Sequence, residues 1–274
     1  MNKFGLHIRL IDQISNVAQK ALRLQLPYFQ TFLIDSSKRF IKLTSRDKEK
    51  FALVRNQFET LFLHASYWIN CANPNPIADR LLERELFIAQ NLGFNYLIIH
   101  PGSINKEQSR EEALHVIAKR INRMLNKFPD ITILLENIAH AKRSIGGDLE
   151  ELRTIYDQII IPERVGFCLD TTHAHAYGYD LIEKQDDFIT YLEQILSLQN
   201  IKLIHLNDTI KPMGSRIDLH AIPGKGKIGK EKLLRFVQHP ILKKIPIILE
   251  LPRLDEEKER LILENMKNNK ETYD

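Results

Sequence analysis

The sequence predicts a closed (β/α)8 barrel formed by one domain spanning residues 1–274. Three observations carry that prediction. Eight short apolar runs alternate with eight longer amphipathic or charged stretches, the pattern of repeated strand–helix units. The apolar runs are continuous, as parallel strands covered on both faces must be. The length, 274 residues, is close to the roughly 250 of a typical barrel of this kind. A doubly wound open sheet is the competing arrangement, but it would gather its ligand groups at one switch point, not along most strands. No low-complexity linker divides the chain.

In order, Phe4 to Ile8 reads as the first strand and Asp12 to Leu24 as a helix. Tyr28 to Ile34 is the second strand. Thr44 to Thr60 is a charged helix with Phe51, Val54 and Phe58 at helical spacing. Leu61 to His64 is the third strand, and Ile77 to Leu92 a helix closed by Gly93. Tyr96 to His100 is the fourth strand, followed by a long helix from Glu107 to Phe128 that Pro129 ends. Ile131 to Glu136 is the fifth strand, Asp148 to Ile160 a helix and Val165 to Asp170 the sixth strand. Asp180 to Leu198 is largely helical. Ile201 to His205 is the seventh strand and Lys230 to Gln238 the next helix. Ile245 to Glu250 is the last strand, and Asp255 to Met266 the last helix. Three long loops, Ala65 to Asn75, Asn137 to Gly147 and Asn207 to Gly229, are candidates for function.

Composition excludes several classes. Hydrophobic residues make up 43% and charged residues 27%, an ordinary globular balance. No apolar run of about 18 residues exists, so no membrane span is expected. Met1 to Lys3 leads directly into a strand-like run, which does not read as a signal peptide. The two cysteines, Cys71 and Cys168, make no disulfide framework, and Cys168, within an apolar run, reads as a buried thiol. A reducing, cytoplasmic setting is expected, nucleoid-associated if the source is bacterial. The formal charge of +4 permits a polyanionic partner without requiring one.

The last residues of the strands, from the third onward, are His64, His100, Glu136, Asp170, His205 and Glu250. With 10 His and 35 Asp plus Glu among 274 residues, composition alone does not give six in a row. In a barrel these side chains converge on the C-terminal mouth, where the chemistry of such folds sits. Crowded carboxylates and imidazoles suit a cation, and the mixed set suits zinc or manganese. The bland readings are a helix cap for Asp170 and core histidines for His64 and His100. Glu136 and Glu250 end very apolar runs, where an unpaired carboxylate is costly. Asp208 reads as a turn residue, and His7 and His175 as structural or supporting. Asp218 and His220, two apart in an extended segment, point the same way. They can grip one ion with His173, or form a solvated turn.

Gly224 to Gly229 matches G-x-G-x-x-G, but a dinucleotide fingerprint must follow directly on a strand. Here a polar loop, Arg216 to Pro223, precedes it. The glycines with Lys225, Lys227 and Lys230 read instead as a flexible basic lip suited to phosphates.

The segments His64-Ala65-Ser66-Tyr67, His100-Pro101-Gly102-Ser103, Glu136-Asn137, Asp170-Thr171-Thr172-His173-Ala174, His205-Leu206-Asn207-Asp208 and Asp218-Leu219-His220, with Glu250, resemble the endonuclease IV family of apurinic/apyrimidinic (AP) endonucleases. The resemblance implies a xylose-isomerase-like (β/α)8 TIM barrel and three zinc ions, with manganese an alternative at one position. It implies that His64, His100 and Glu136 hold one ion, that Glu136 bridges to a second shared with Asp170, His205 and Glu250, and that His173, Asp218 and His220 hold the third. Glu136 and Glu250 are then the catalytic carboxylates, Glu250 orienting the nucleophile. The implied reaction is cleavage of the phosphodiester 5′ to an abasic site in double-stranded DNA, leaving a 3′-hydroxyl, by a monomer. Tyr67 and Trp68 align with the family's DNA-penetrating pair, and ordinary rim packing is the alternative for Trp68. Lys38, Arg39, Lys142, Arg143, Lys225 and Lys227 are the candidate phosphate contacts.

The first third departs from the family: His7-Ile8-Arg9-Leu10-Ile11 stands where the family is small and Gly-rich. The loop after the second strand reads Asp35-Ser36-Ser37-Lys38-Arg39. His140-Ala141-Lys142-Arg143 replaces a Gly/Gln segment. Two other classes stay open. A metal-dependent sugar isomerase or epimerase would use Glu136, Asp170, His205 and Glu250 and leave His64, His100, Asp218 and His220 without duties. A non-catalytic binder of damaged DNA would hold metals and cut nothing.

Overall fold

Apolar runs rich in Val, Ile and Leu become strands here because each is covered on both faces. A computed structural model describes residues 3–33, 43–139 and 143–268. The strands β1 (Phe4–His7), β2 (Tyr28–Thr31), β3 (Thr60–His64), β4 (Tyr96–Ile99), β5 (Thr132–Glu136), β6 (Val165–Asp170) and β7 (Ile201–His205) run in parallel. Two further strands, β8 (Asp208–Thr209) and β9 (His220–Ala221), pair antiparallel as a small ribbon outside the barrel. The strand β10 (Ile247–Leu249) pairs with both β7 and β1 and closes the barrel.

The helices are α1 (Ile14–Arg23), α2 (Ser45–Arg55), α3 (Pro76–Asn91), α4 (Arg110–Lys127), α5 (Leu149–Tyr156), α6 (Thr171–Tyr177), α7 (Gln185–Leu196), α8 (Lys230–Gln238) and α9 (Glu256–Asn268). Their starts follow local chemistry. Asn75 caps α3, with Pro76 in its first turn, and Ser109 and Glu112 form a reciprocal capping box on α4. The buried Asp47 of α2 accepts the backbone N–H groups of Ile14 and Ser15, and so caps α1 from a neighbouring helix. Leu61, Leu63, Leu97, Ile99, Ile133 and Leu135 alternate outward into the large core under the helices.

The inward-facing residues form a separate cluster of Tyr28, Phe62, Ile98, Leu134, Cys168, Leu203 and Ile248. On β1 the equivalent position is Gly5, where a Cβ would collide with Tyr28 and Ile248. Since strand side chains alternate, the next inward position lies two residues on. Those positions are His7, Gln30, His64, His100, Glu136, Asp170, His205 and Glu250. The fold thus delivers a ring of eight polar side chains directly above an apolar floor, at the C-terminal mouth.

Several expectations shift. The helix read over 44–60 ends at Arg55 and Thr60 opens β3, the helix read over 148–160 ends at Tyr156, and the second strand ends at Thr31. The helix expected over 180–198 begins at Gln185, because the Asp180 carboxylate takes the N–H groups of Ile182 and Glu183 in a turn. The cap reading of Asp170 holds: a short helix absent from the elements read off the chain, α6, starts straight after β6, with the Asp170 carboxylate accepting the His173 N–H at 2.8 Å. Ile34, expected at the end of the second strand, lies outside the described residues.

Candidate metal centre and active site

Glu136 sits at the middle of the ring and is fully buried. Its Oε2 lies 2.9 Å from His64 Nε2 and 3.1 Å from His100 Nε2. Its Oε1 lies 2.9 Å from His205 Nδ1 and 3.4 Å from His173 Nδ1. Glu250 Oε2 is 3.5 Å from His205 Nδ1 and 3.7 Å from His220 Nδ1. Asp218 joins His173 Nε2 at 3.2 Å and His220 Nε2 at 3.1 Å. His220 also faces Asp170 Oδ2 at 3.7 Å.

The imidazoles and carboxylates set each other's charge. Burial works against the charge on Glu136, but His205 and His100 outweigh it and hold the carboxyl well below the usual range. Burial lowers His205, yet Glu250 and Glu136 lift it to about 9. His220 is likewise lowered by burial and lifted to about 9 by Asp218 and Asp170. Glu250, disfavoured by burial, is held down to about 2 by His205 and His220. Asp218 is pulled well below the carboxylate range by His173 and His220 against the burial effect. His7 goes the other way: burial lowers it to about 3 despite Glu250.

The donor set fits divalent metals. His64, His100 and Glu136 offer ligand atoms within 4.8 Å of one another, as do Glu136, Asp170, His205 and Glu250, and Asp170, His173 and His220. His100 Nε2 and His220 Nε2 are buried and make no hydrogen bond, although carboxylate oxygens lie close by. Imidazole and carboxylate together suit zinc or manganese. Cys168 Sγ also approaches Glu136 and His205. It belongs to the apolar floor, and burial with the Glu136 charge pushes its thiol well above the ordinary range, against the thiolate a metal needs.

Neighbouring amides hold the candidate ligands in place. Asn207 Nδ2 donates to Asp170 Oδ2 at 2.6 Å and to Glu250 Oε2 at 3.1 Å, while its Oδ1 accepts the Glu250 N–H. Asn137 exchanges two hydrogen bonds with the Asp170 backbone, and its carbonyl lies 2.9 Å from His173 Nδ1. Asp208, fully buried, accepts N–H groups from Thr209, Gly224, Gly226, Ile228 and Gly229. A Cβ on Gly226 would collide with that carboxylate. The glycine-rich segment is thus folded around an anion of its own chain, and with the β8–β9 ribbon it sets the position of His220.

A family model described as a xylose isomerase-like TIM barrel matches residues 20–271. A protein of Thermosipho melanesiensis named "Probable endonuclease 4" is 35% identical over 263 residues, covering 92% of this chain and 93% of that one. The chain belongs to the endonuclease IV family. The crystal structure of endonuclease IV from Thermus thermophilus superposes with a TM-score of 0.84 at 27% identity, covering 98% of this chain and 100% of that one. A D-tagatose 3-epimerase-like protein superposes at 0.72 with 18% identity, over 97% of each chain, and shares the fold alone.

All nine residues that the resemblance to endonuclease IV singles out as ligands face one another at the mouth. Tyr67 and Trp68 stand on the loop after β3, 68% and 59% exposed. The Tyr67 ring packs 5.2 Å from Phe32 and 5.9 Å from His100. Rim packing therefore leaves most of Trp68 open. From below, the buried Glu85 of α3 takes the Ser66 N–H at 3.1 Å, and burial lifts its carboxyl to about 8. A cavity of about 280 Å³ opens between Tyr67, Asn70, His100, Ser103, His173 and Asp218. Lys225 and Lys227 are exposed on the glycine-rich loop, and Arg143 is exposed with its Nε donating to the Ile104 carbonyl at 3.2 Å. Lys38, Arg39 and Lys142 lie outside the described residues.

Asn137 and Asn207 stand in the segments that carry the resemblance but without a role assigned there, Gln30 is passed over, and Asp208 reads there as a turn. Gln30 has a usable signal: it follows the inward Tyr28 by two residues, as each of the six strand-end candidate ligands follows its floor residue. His7 obeys the same rule and touches Glu250 at 3.6 Å. His175 is buried on α6, both ring nitrogens lack a hydrogen bond, and it joins none of the ligand groups.

Proposed function

We propose that this chain is a DNA-repair endonuclease that hydrolyses the phosphodiester 5′ to an abasic site in double-stranded DNA. Water adds to phosphorus, the P–O3′ bond breaks, and the departing oxygen takes up a proton to leave a 3′-hydroxyl. The supporting observation is the Asp218 carboxylate between His173 and His220, beside Asp170. A sugar isomerase on this barrel has no use for that third group, nor for His64 and His100.

In this reading, zinc ions are held by His64, His100 and Glu136, by Glu136, Asp170, His205 and Glu250, and by His173, Asp218 and His220, with manganese an alternative at one position. Bound ions would supply an acidified water and positive charge against the phosphate oxygens. The chain's own residues do the rest. Glu250 orients the attacking water through the oxygen that faces the cluster. Asn207 keeps Asp170 and Glu250 from moving apart. Tyr67 and Trp68 wedge into the duplex beside the lesion, and Arg143, Lys225 and Lys227 contact phosphates with Lys38, Arg39 and Lys142. The enzyme acts as a monomer in the cytoplasm. None of the described helices is long and apolar enough to cross a membrane.

The test is incision of a duplex carrying one abasic site, with and without a chelator, beside elemental analysis. The expected result is a single cut 5′ to the lesion, abolished by chelation, from protein with about three divalent ions per chain. Equal binding of intact and abasic DNA with no cut in either would instead support the non-catalytic binder.

A further inference from the structure

Of the eight inward residues at the mouth, seven are ionisable and one is a neutral amide. Gln30 on β2 is fully buried, the neighbouring strands β1 and β3 carry His7 and His64 at its level, and the remaining strands carry imidazoles and carboxylates. An amide there is no filler, since an apolar side chain would continue the floor formed by Tyr28, Phe62 and Ile98. Every polar atom of Gln30 is engaged. Its Oε1 lies 2.7 Å from His205 Nε2, and its Nε2 lies 2.7 Å from Glu250 Oε1 and 2.9 Å from His7 Nδ1.

The orientation of the amide follows from its partners. A carboxylate only accepts, so the NH2 group must face Glu250, and its second hydrogen reaches His7 Nδ1. The carbonyl is then left for His205 and accepts the Nε2–H. We propose that Gln30 is a positioning residue for the metal centre: it fixes the His205 tautomer protonated on Nε2 and ties up one oxygen of Glu250. His205 consequently presents Nδ1 to Glu136, Asp170 and Glu250, at 2.9, 3.9 and 3.5 Å. Glu250 presents Oε2 alone to His205 and His220. One side chain on β2 thereby sets the ligand atom of one group and the ligand oxygen of another, so that β2, which supplies no ligand, still governs the site. This inference rests on the reading of His205 and Glu250 as metal ligands.

Outer partners of metal ligands typically carry about 10–100-fold in metal affinity. The experiment is zinc affinity by chelator competition on Gln30→Met, which keeps the length and removes both hydrogen-bonding functions. Gln30→Glu, which keeps the acceptor toward His205 and loses the donor toward Glu250, is measured beside it. The expected result is a loss of about 10–100-fold for one ion in Q30M, with the remaining ions unaffected, and a loss in Q30E as well. Cleavage of abasic DNA should lose kcat while KM for DNA stays unchanged. Chelator competition is read on folded protein, so a merely structural role would not move it, and Q30E decides the matter if Q30M does not fold. Zinc held by the variants within about twofold of the parent would overturn the role of Gln30. A parent protein that binds no zinc would overturn the ligand assignment and this inference with it. A parent that binds zinc but leaves DNA intact would overturn only the nuclease reading, because the affinity comparison would still decide the role of Gln30.

Discussion

Asp218 Oδ2 lies 3.2 Å from His173 Nε2, bringing the long loop after β7 against the first turn of α6. That contact separates the two enzymatic readings. The double variant Asp218→Ala with His220→Ala should fold, keep about two ions per chain and lose DNA cleavage by at least about 10²–10³, the scale of losing one electrostatic stabiliser. Ions per chain, abasic-DNA cleavage and sugar turnover are measured together. Full metal content with intact sugar turnover would count for the isomerase.

Metal-free protein should show a bell-shaped dependence of Tm on pH. His205 and His220 rise from 6.5 to about 9 on folding, so their contribution is complete below pH 6.5 and is lost as pH climbs through 9. Glu250 falls from 4.5 to about 2, so its contribution is complete above pH 4.5 and is lost as pH drops through 2. A maximum, not a plateau, should lie between these windows, because the buried neutral His7 costs more as pH falls from 6.5 to about 3 and the buried Glu85 costs more as pH climbs from 4.5 to about 8. With zinc present the alkaline decline should shrink to the part that Glu85 contributes, because metal and protons compete for the same imidazoles. Calorimetry with and without chelator checks both limbs, and an unchanged Tm of chelated protein from pH 6.5 to 9 would refute the first.

Asp208→Ala should destabilise the protein by about 2–4 kcal/mol, since it strands several buried N–H groups at once. Gly226→Ala should also destabilise it, through the collision of its Cβ with Asp208. Because this loop carries Asp218 and His220, both variants should lose the ion at that corner before the others. Denaturant unfolding and elemental analysis read the two effects separately.

Trp68→Ala should leave Tm and metal content unchanged, as the side chain is 59% exposed, and should weaken cleavage of abasic DNA. A wedge offsets an unstacking cost of a few kcal/mol, so about tenfold or more in kcat/KM is expected. A loss of folded protein would show instead that Trp68 packs the rim.

Binding to abasic duplex should weaken steeply with salt. Lys225→Ala and Lys227→Ala should each lower the slope of log K against log salt by about 1, without altering lesion preference. Slopes equal to the parent's would remove both lysines from the interface.

Much of this molecule is readable from the chain because each strand is a run of apolar residues ending in a polar one. Leu134 with Glu136 and Leu203 with His205 show why: both inward positions of a strand belong to one parity, apolar below and ligand above. The same parity points to Gln30 and His7, but an amide on a strand carries no chemical signature, and its value appears only when His205 and Glu250 arrive from distant strands. Asp208 is hidden for a related reason. All but one of its partners are backbone N–H groups of a loop sixteen and more residues away, and nothing in residue identity announces them. For α6 the chain offers Asp170 as a cap but no periodic run after it, because the helix is only seven residues long and Asp170 is cap and candidate ligand at once.

The division of Glu136 between two groups of histidines has a thermodynamic consequence. Oε2 serves His64 and His100, and Oε1 serves His205 and His173, on one carboxyl that cannot rotate one oxygen without moving the other. If the proposed sites load metal, an ion taken up on either side would immobilise the ligand for the other side. Occupancies should then be linked by a coupling free energy that acts equally in both directions. Loading and stripping would follow a steep, shared isotherm, with partly filled protein scarce at every metal concentration.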